Sequence, residues 1–430
     1  MKRTIIQDLI NWKQSQDRKP LILLGARQVG KTYILKQFGK QEYENVAYIN
    51  CDNNALVQNL FAEDYNMERI ILSISAITGE NIKKNKTLII FDEIQELPKG
   101  LSALKYFCED APDYHVAVAG SLLGITLHYG ESFPVGKVNI LNLYPMNFEE
   151  FLLAKGKNQL YNILTEKQWE VIKGLQSQFI QLLREYYFVG GMPEAVLKFT
   201  QTNDAVSVRQ IQKDILSAYE KDISKHAPKD TVVRINQVWN SIPSQLAKEN
   251  KKFIYGVIKK GARAKEYELA VQWLIDAGLV YKVNRVRKPT MPLKVYEDIA
   301  AFKLYLLDTG LLGAMSDIPA ELLLLPNAMK ESKGDYTENF ISSQLHTVKD
   351  IVINYYSKEN STLEIDFVIQ KNADIYPIEV KSEANVQSKS LKTLIKDNPN
   401  LKGVRASMLD YKEQENITNV PLYALKIYFN

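Results

Sequence analysis

Over the first 155 residues, short apolar runs alternate with helix-length stretches whose apolar positions recur three and four apart. The runs are Leu21 to Leu24, Val46 to Asn50, Thr87 to Phe91, His115 to Ala119 and Val138 to Leu143. Such short, continuous runs suit strands buried on both faces. Their alternation with helical stretches predicts an α/β domain: a parallel sheet with helices on both faces and ligands at the carboxyl ends of the strands.

From 156 to 225 the pattern is long and helical, interrupted by Gly190-Gly191-Met192-Pro193, which reads as a rigid turn. Between 226 and 300 a helix-like segment, Lys265 to Ala277, leads through Gly278 into the strand Leu279 to Val283 and a basic tip at Arg285, Arg287 and Lys288. That order suggests a winged helix-turn-helix. Near the C-terminus, Leu363 to Gln370 and Ile375 to Lys381 read as two strands around the turn Lys371 to Asp374. The expected division is therefore an α/β core (1–155), a helical region (156–225), a winged helix (226–300) and a C-terminal α/β domain (301–430).

The first run leads directly into Gly25-Ala26-Arg27-Gln28-Val29-Gly30-Lys31-Thr32, which fits G-x-x-x-x-G-K-[ST]. The glycines let backbone approach phosphate, Lys31 reaches the β and γ oxygens, and Thr32 offers a hydroxyl to Mg²⁺. A nucleoside triphosphate is the ligand to assign. The strand before the loop, the helix-compatible Tyr33 to Phe38 after it, and a second apolar run ending in Asp92 and Glu93 all support the match. Asp92 is expected in the Mg²⁺ shell and Glu93 at the attacking water. Ser121, after Ala119-Gly120, is the candidate sensor of the γ-phosphate or the water.

The C-terminal hairpin suggests a second chemistry. Period-two alternation sets Glu379 and Lys381 on one face, with Asp366 opposite Leu363, Ile365 and Phe367 in the preceding strand. Two carboxylates near one end of a hairpin can hold Mg²⁺ or Mn²⁺ and position a water on a phosphodiester, while a lysine stabilises developing charge. Asp366 and Glu379 are thus candidate metal ligands and Lys381 a candidate catalytic group. Glu338, on an expected helix, supplies another acid. A solvated strand face with a salt bridge gives the same pattern.

Charge matters through its distribution, since the net value is only +4 over 430 residues. Lys251, Lys252, Lys259, Lys260, Arg263 and Lys265 fall within one acid-free stretch, so nucleic acid is a natural partner. Winged helices also bind proteins. Two distant cysteines, Cys51 and Cys108, argue against a disulfide framework and fit a reducing cytoplasm. The N-terminus is broken by charge too early for a signal peptide, and no apolar stretch approaches the roughly 20 residues needed to cross a bilayer.

With these landmarks, together with Phe91-Asp92-Glu93-Ile94-Gln95, Leu143 to Phe151, Gly190 to Pro193 and Ile378 to Ser382, the chain resembles a prokaryotic family of AAA+ ATPases. That family lies near the archaeal-type and STAND ATPases and carries a C-terminal restriction-endonuclease-like domain. The resemblance implies ATP bound by Gly30, Lys31 and Thr32. It also implies a PD-(D/E)xK pattern at Asp366, Glu379 and Lys381, with Glu338 as the helix acid. Ser121 stands where many AAA+ proteins place Asn, and Gly136-Lys137 where relatives often have Gly-Arg, which leaves Arg27 and Arg184 as candidate arginine fingers. Three readings remain open: an ATP-driven switch on nucleic acid, DNA before RNA; an ATP-regulated, metal-dependent nuclease; and a protein-interaction scaffold. Oligomeric state is not fixed.

Overall fold

The five apolar runs form five parallel strands: β1 (Leu21–Leu24), β2 (Asn45–Asn50), β3 (Thr87–Asp92), β4 (His115–Ala119) and β5 (Asn139–Asn142). Their order in the sheet is β2-β3-β4-β1-β5, which places β1 between strands far from it in sequence. A ligand crevice is expected at such a reversal of strand order, outside the carboxyl ends. Every residue of β3 and β4 is buried, whereas edge strand β5 alternates half-buried and exposed positions.

A computed structural model describes residues 1–61, 64–120, 133–324, 333–382 and 388–430. Ser121 lies outside them. The described residues fall into two compact units, one of Lys2–Tyr144 with Asp276–Gly278, the other of Pro145–Ile275 with Leu279–Asn430. In the first unit, Ile49, Ile89, Phe91, Leu104, Phe107 and Val118 belong to one buried cluster. Each such side chain contributes roughly 1.5–3 kcal/mol by leaving water. His115 is buried too, with Nδ1 2.7 Å from the Tyr43 hydroxyl and Nε2 3.2 Å from Asn85 Oδ1. Burial, with Arg18 and Lys13 nearby, pushes its pKa down to about 4.

The second unit carries a mixed sheet of eight strands. They are β6 (Val280–Val286), β7 (Glu297–Leu306), β8 (Ile351–Ser357), β9 (Glu364–Lys371), β10 (Asp374–Val380), β11 (Gly403–Ser407), β12 (Lys412–Gln414) and β13 (Ile417–Pro421), in the order β12-β13-β11-β10-β9-β8-β6-β7. The expected hairpin is β9–β10, antiparallel. β6 and β7 form the expected basic hairpin, but β6 also pairs in parallel with β8. A boundary at 300/301 therefore falls inside β7, whose second half is buried and continues the C-terminal sheet.

Two of the expected basic groups are also not free surface. The Lys251 ammonium lies in a buried ion pair with Glu338, and Arg285 is taken by Asp298 and Glu359.

The Gly190-Gly191 turn is held in a polar knot. Gly191 N–H donates to Asp308 Oδ2 (2.6 Å), Met146 N–H donates to the Gly191 carbonyl (2.7 Å), and Tyr186 donates its hydroxyl to the Met146 carbonyl (2.6 Å). Gly190 has φ +72°, and a Cβ there would lie 2.2 Å from Asp308 Oδ1; at Gly191 it would lie 2.0 Å from the Met146 carbonyl oxygen. No side chain fits at either place.

Gly191→Ala should therefore destabilise the chain by about 3 kcal/mol or more, read as a lower urea midpoint. A second expectation concerns pH. Because His115 titrates near 4 when folded and ~6.5 when unfolded, unfolding takes up a proton in that window. Its contribution is complete above ~6.5 and lost as pH falls toward 4; urea titrations across this range should show a shallower acid loss in His115→Gln.

Candidate functional site

Beyond Leu24 the chain turns through Gly25 to Gly30 and enters the helix Lys31–Glu42. At Gly25 a Cβ would come within 2.2 Å of the Leu143 carbonyl oxygen, and Gly30 caps the helix at φ +96°. Both glycines are thus required by the path of the loop, which brings it to the unpaired N–H groups of the helix's first turn. Ala26 and Val29 are buried and anchor the loop, while Arg27 and Gln28 are exposed. Arg3 holds it from behind, donating to the carbonyls of Val29 (3.0 Å) and Tyr144 (2.6 Å). Nothing local in the sequence marks Arg3 for that task.

Lys31 is 7% exposed and donates to the carbonyls of Gly25 and Ala26, both at 2.8 Å. Burial pushes its pKa down to about 8 against the pull of Glu93 and Asp92. A desolvated ammonium whose direct partners among the described residues are carbonyls is a strong site for an anion.

Asp92 ends β3 and accepts two hydroxyls on one oxygen, Oδ2: Thr32 Oγ1 at 2.7 Å and Tyr48 at 2.9 Å. The Thr32 hydroxyl and the Asp92 carboxylate fit a hard divalent cation, being oxygen donors already brought together. Glu93 follows at φ +54°, and Gln95 Nε2 donates to its Oε2 at 2.6 Å. Cys51 lies buried beside both acids, its thiol pushed up to about 12 by burial and then by Asp92 and Glu93. Tyr48 escapes sequence reasoning, since it stands on β2, far along the chain from its partner, although Lys36 over its ring (3.3 Å to the centroid) also ties it to the helix after the loop. The sensor position, Ser121, lies outside the described residues, and Arg184 is half-buried in the helix Gln176–Val189 of the other unit.

The C-terminal acids stand on β9, β10 and the helix Lys333–Leu345. Asp366 (β9) accepts the Val380 N–H at 2.8 Å. Glu379 (β10) pairs with Lys381 at 2.7 Å and accepts the Leu391 N–H at 3.3 Å. Glu338, in the helix Lys333–Leu345, meets Lys251 Nζ at 2.8 Å, the Tyr305 hydroxyl at 3.1 Å and Lys303 Nζ at 3.8 Å. Lys303, its side chain 1% exposed, also pairs with Glu364 at 2.7 Å. Burial, and then Glu338, pushes Asp366 up to about 7.

Among the described residues, no group of three or more His, Cys, Asp or Glu is placed to hold a metal. Two ammonium groups, Lys251 and Lys303, pair with Glu338 and Glu364, and no local spacing shows their places in the fold. Nor is any helix among the described residues long and apolar enough to cross a membrane.

Residues 17–152 match the family described as AAA domain, and two families described as domains of unknown function, DUF8612 and DUF4143, match residues 180–322 and 333–425. The DUF8612 match runs across residue 300. Among solved structures, the Walker-type ATPase PABY2304 of Pyrococcus abyssi is 13% identical, with 73% of this chain and 95% of that one covered, TM-score 0.44. The Orc1 protein of Aeropyrum pernix, solved with DNA, is 13% identical (75% and 92% covered, TM-score 0.32). Cdc6p of Pyrobaculum aerophilum is 12% identical (73% and 92% covered, TM-score 0.25). At such values the structural likeness transfers nothing beyond itself. No curated protein matches the chain. The AAA match and the parallel sheet with its phosphate loop agree on a P-loop ATPase fold for the first unit, and the AAA match supports ATP binding and hydrolysis.

Tyr48→Phe should remove one of the two hydroxyls on Asp92 Oδ2 and lower stability by about 1 kcal/mol, measurable by urea unfolding. An unchanged midpoint would mean that Thr32 alone satisfies the carboxylate.

Proposed function

We propose that this chain is an ATP-binding and ATP-hydrolysing switch acting on nucleic acid, DNA in preference to RNA. The observation that carries the reading is the phosphate loop with its buried Lys31 set beside the Thr32–Asp92 pair.

Lys31 would exchange the Gly25 and Ala26 carbonyls for phosphate oxygens, which recover more of the ammonium's lost hydration. Thr32 and Asp92 would hold Mg²⁺, which supplies charge neutralisation on the β- and γ-phosphates when bound. Glu93, its carboxylate oriented by Gln95, would align the attacking water and take its proton. Ser121, following β4, is assigned the γ-phosphate side of the same site on its sequence position.

Contacts to a γ-phosphate exist before hydrolysis and not after it, so the two nucleotide states differ in energy wherever the loop is felt. Asp276–Gly278 belong with the ATPase unit, and a Cβ at Gly278 would lie 3.3 Å from the Ala26 backbone nitrogen. The helix Ala264–Asp276 ends in that segment and carries Lys265. Lys252, Lys259, Lys260, Arg263, Lys265, Arg287 and Lys288 are exposed and support phosphate-backbone contact; Lys251 and Arg285 do not contribute. The division into a winged helix and a nuclease-like C-terminal domain is part of this reading, with the wing sharing the C-terminal sheet. A cytoplasmic setting suits the two free cysteines.

In titrations with a fluorescent ATP analogue, Lys31→Ala should abolish binding, while Glu93→Gln should keep binding and lose ~10²–10⁴-fold in turnover. Normal affinity in Lys31→Ala would overturn the reading. DNA affinity should fall steeply from about 50 to about 200 mM salt and be weakened by Lys259→Glu with Lys260→Glu. A flat salt response would favour a protein partner instead.

A further inference from the structure

The acids around β9 come from two places in the fold, and the two lysines that meet them, Lys251 and Lys303, come from two others outside the β9–β10 hairpin. Glu364 and Asp366 stand on β9, Glu338 and Asp335 on the helix Lys333–Leu345. Lys303 stands on β7, and Lys251 precedes that whole hairpin of β6 and β7 in the chain. Lys251 Nζ lies 2.8 Å from Glu338 and 3.5 Å from Asp335; Lys303 Nζ lies 2.7 Å from Glu364 and 3.8 Å from Glu338. The Tyr305 hydroxyl, also on β7, donates to Glu338, and the Val380 N–H donates to Asp366.

A divalent cation and two ammonium groups make the same demand on these oxygens. Only one of them can be satisfied, because a cation placed among the acids would stand against two fixed positive charges in a medium that screens poorly. The lysines are covalently part of the chain and need not be recruited from solution.

We propose that Lys251 and Lys303 take the role of a divalent cation at Glu338 and Glu364, beside Asp366, so that this acid cluster of the C-terminal domain is structural and takes up no metal. In this arrangement the ion cluster joins Lys251, β7, the helix Lys333–Leu345 and β9. Glu338 and Glu364 are committed to holding these parts together. The inference is independent of ATP binding at the first unit.

The test uses the full chain without nucleotide. Free Mn²⁺ is followed by electron paramagnetic resonance while wild type and Asp366→Asn are titrated, and the two should bind alike. Micromolar Mn²⁺ binding in wild type that disappears in Asp366→Asn would overturn the proposal, as would Mn²⁺-dependent DNA cleavage lost in that variant. Thermal unfolding gives the second reading: Lys303→Gln should lower Tm by roughly 5 °C or more, and adding Asp366→Asn should recover part of the loss. Strictly additive losses would mean that Lys303 does not neutralise Asp366, which also overturns it. Where Lys303→Gln does not fold, the same cycle is run with Lys251→Gln and Glu338→Gln, a pair at 2.8 Å whose lysine is less buried.

Discussion

A charged group leaves water at a tolerable cost only when oxygen or opposite charge meets it inside, and both units are arranged around that constraint. In the first, Lys31 has left water with two loop carbonyls for company, an incomplete substitute for hydration. In the second, Lys303 is buried as deeply but is met by carboxylates. The same residue type therefore has opposite standing in the two places. One ammonium is under-satisfied and suited to an incoming anion; the other is satisfied by its own chain.

What the sequence made legible follows the range of the interactions concerned. The strands β1 to β5 were readable because burial on both faces writes a continuous apolar run, and the Gly25 to Thr32 loop because its geometry is fixed by neighbours. The β9–β10 hairpin was readable for the same reason, its turn being local. Partners that meet across the fold were not. Tyr48 reaches Asp92 only because β2 pairs with β3, and Arg3 reaches Val29 from a segment that carries no motif. Lys251 looked like one member of an exposed basic run, since nothing in an acid-free stretch tells which lysine points inward.

The Gly190-Gly191 turn shows the middle case. Two adjacent glycines before a proline announce a turn, but the need for both arises from Asp308, Met146 and Tyr186, which lie elsewhere in the sequence. Asp308 accepts N–H groups from Gly191 and Leu311 while burial drives its pKa up to about 6. It is a buried acid kept by its hydrogen bonds rather than by a cation.

The pairing of β6 with β8 carries a consequence for how this chain can be divided. A cut at residue 300 would take β6 and the start of β7 away with the basic region, and the remaining fragment would display β8 as a bare edge with its ladder groups unpaired. Such edges invite strand addition from another copy, so a fragment trimmed there is prone to aggregate. The hairpin and the C-terminal sheet are inherited together, and a gene fusion or truncation that respects the fold has to keep β6, β7 and β8 on one side of the junction.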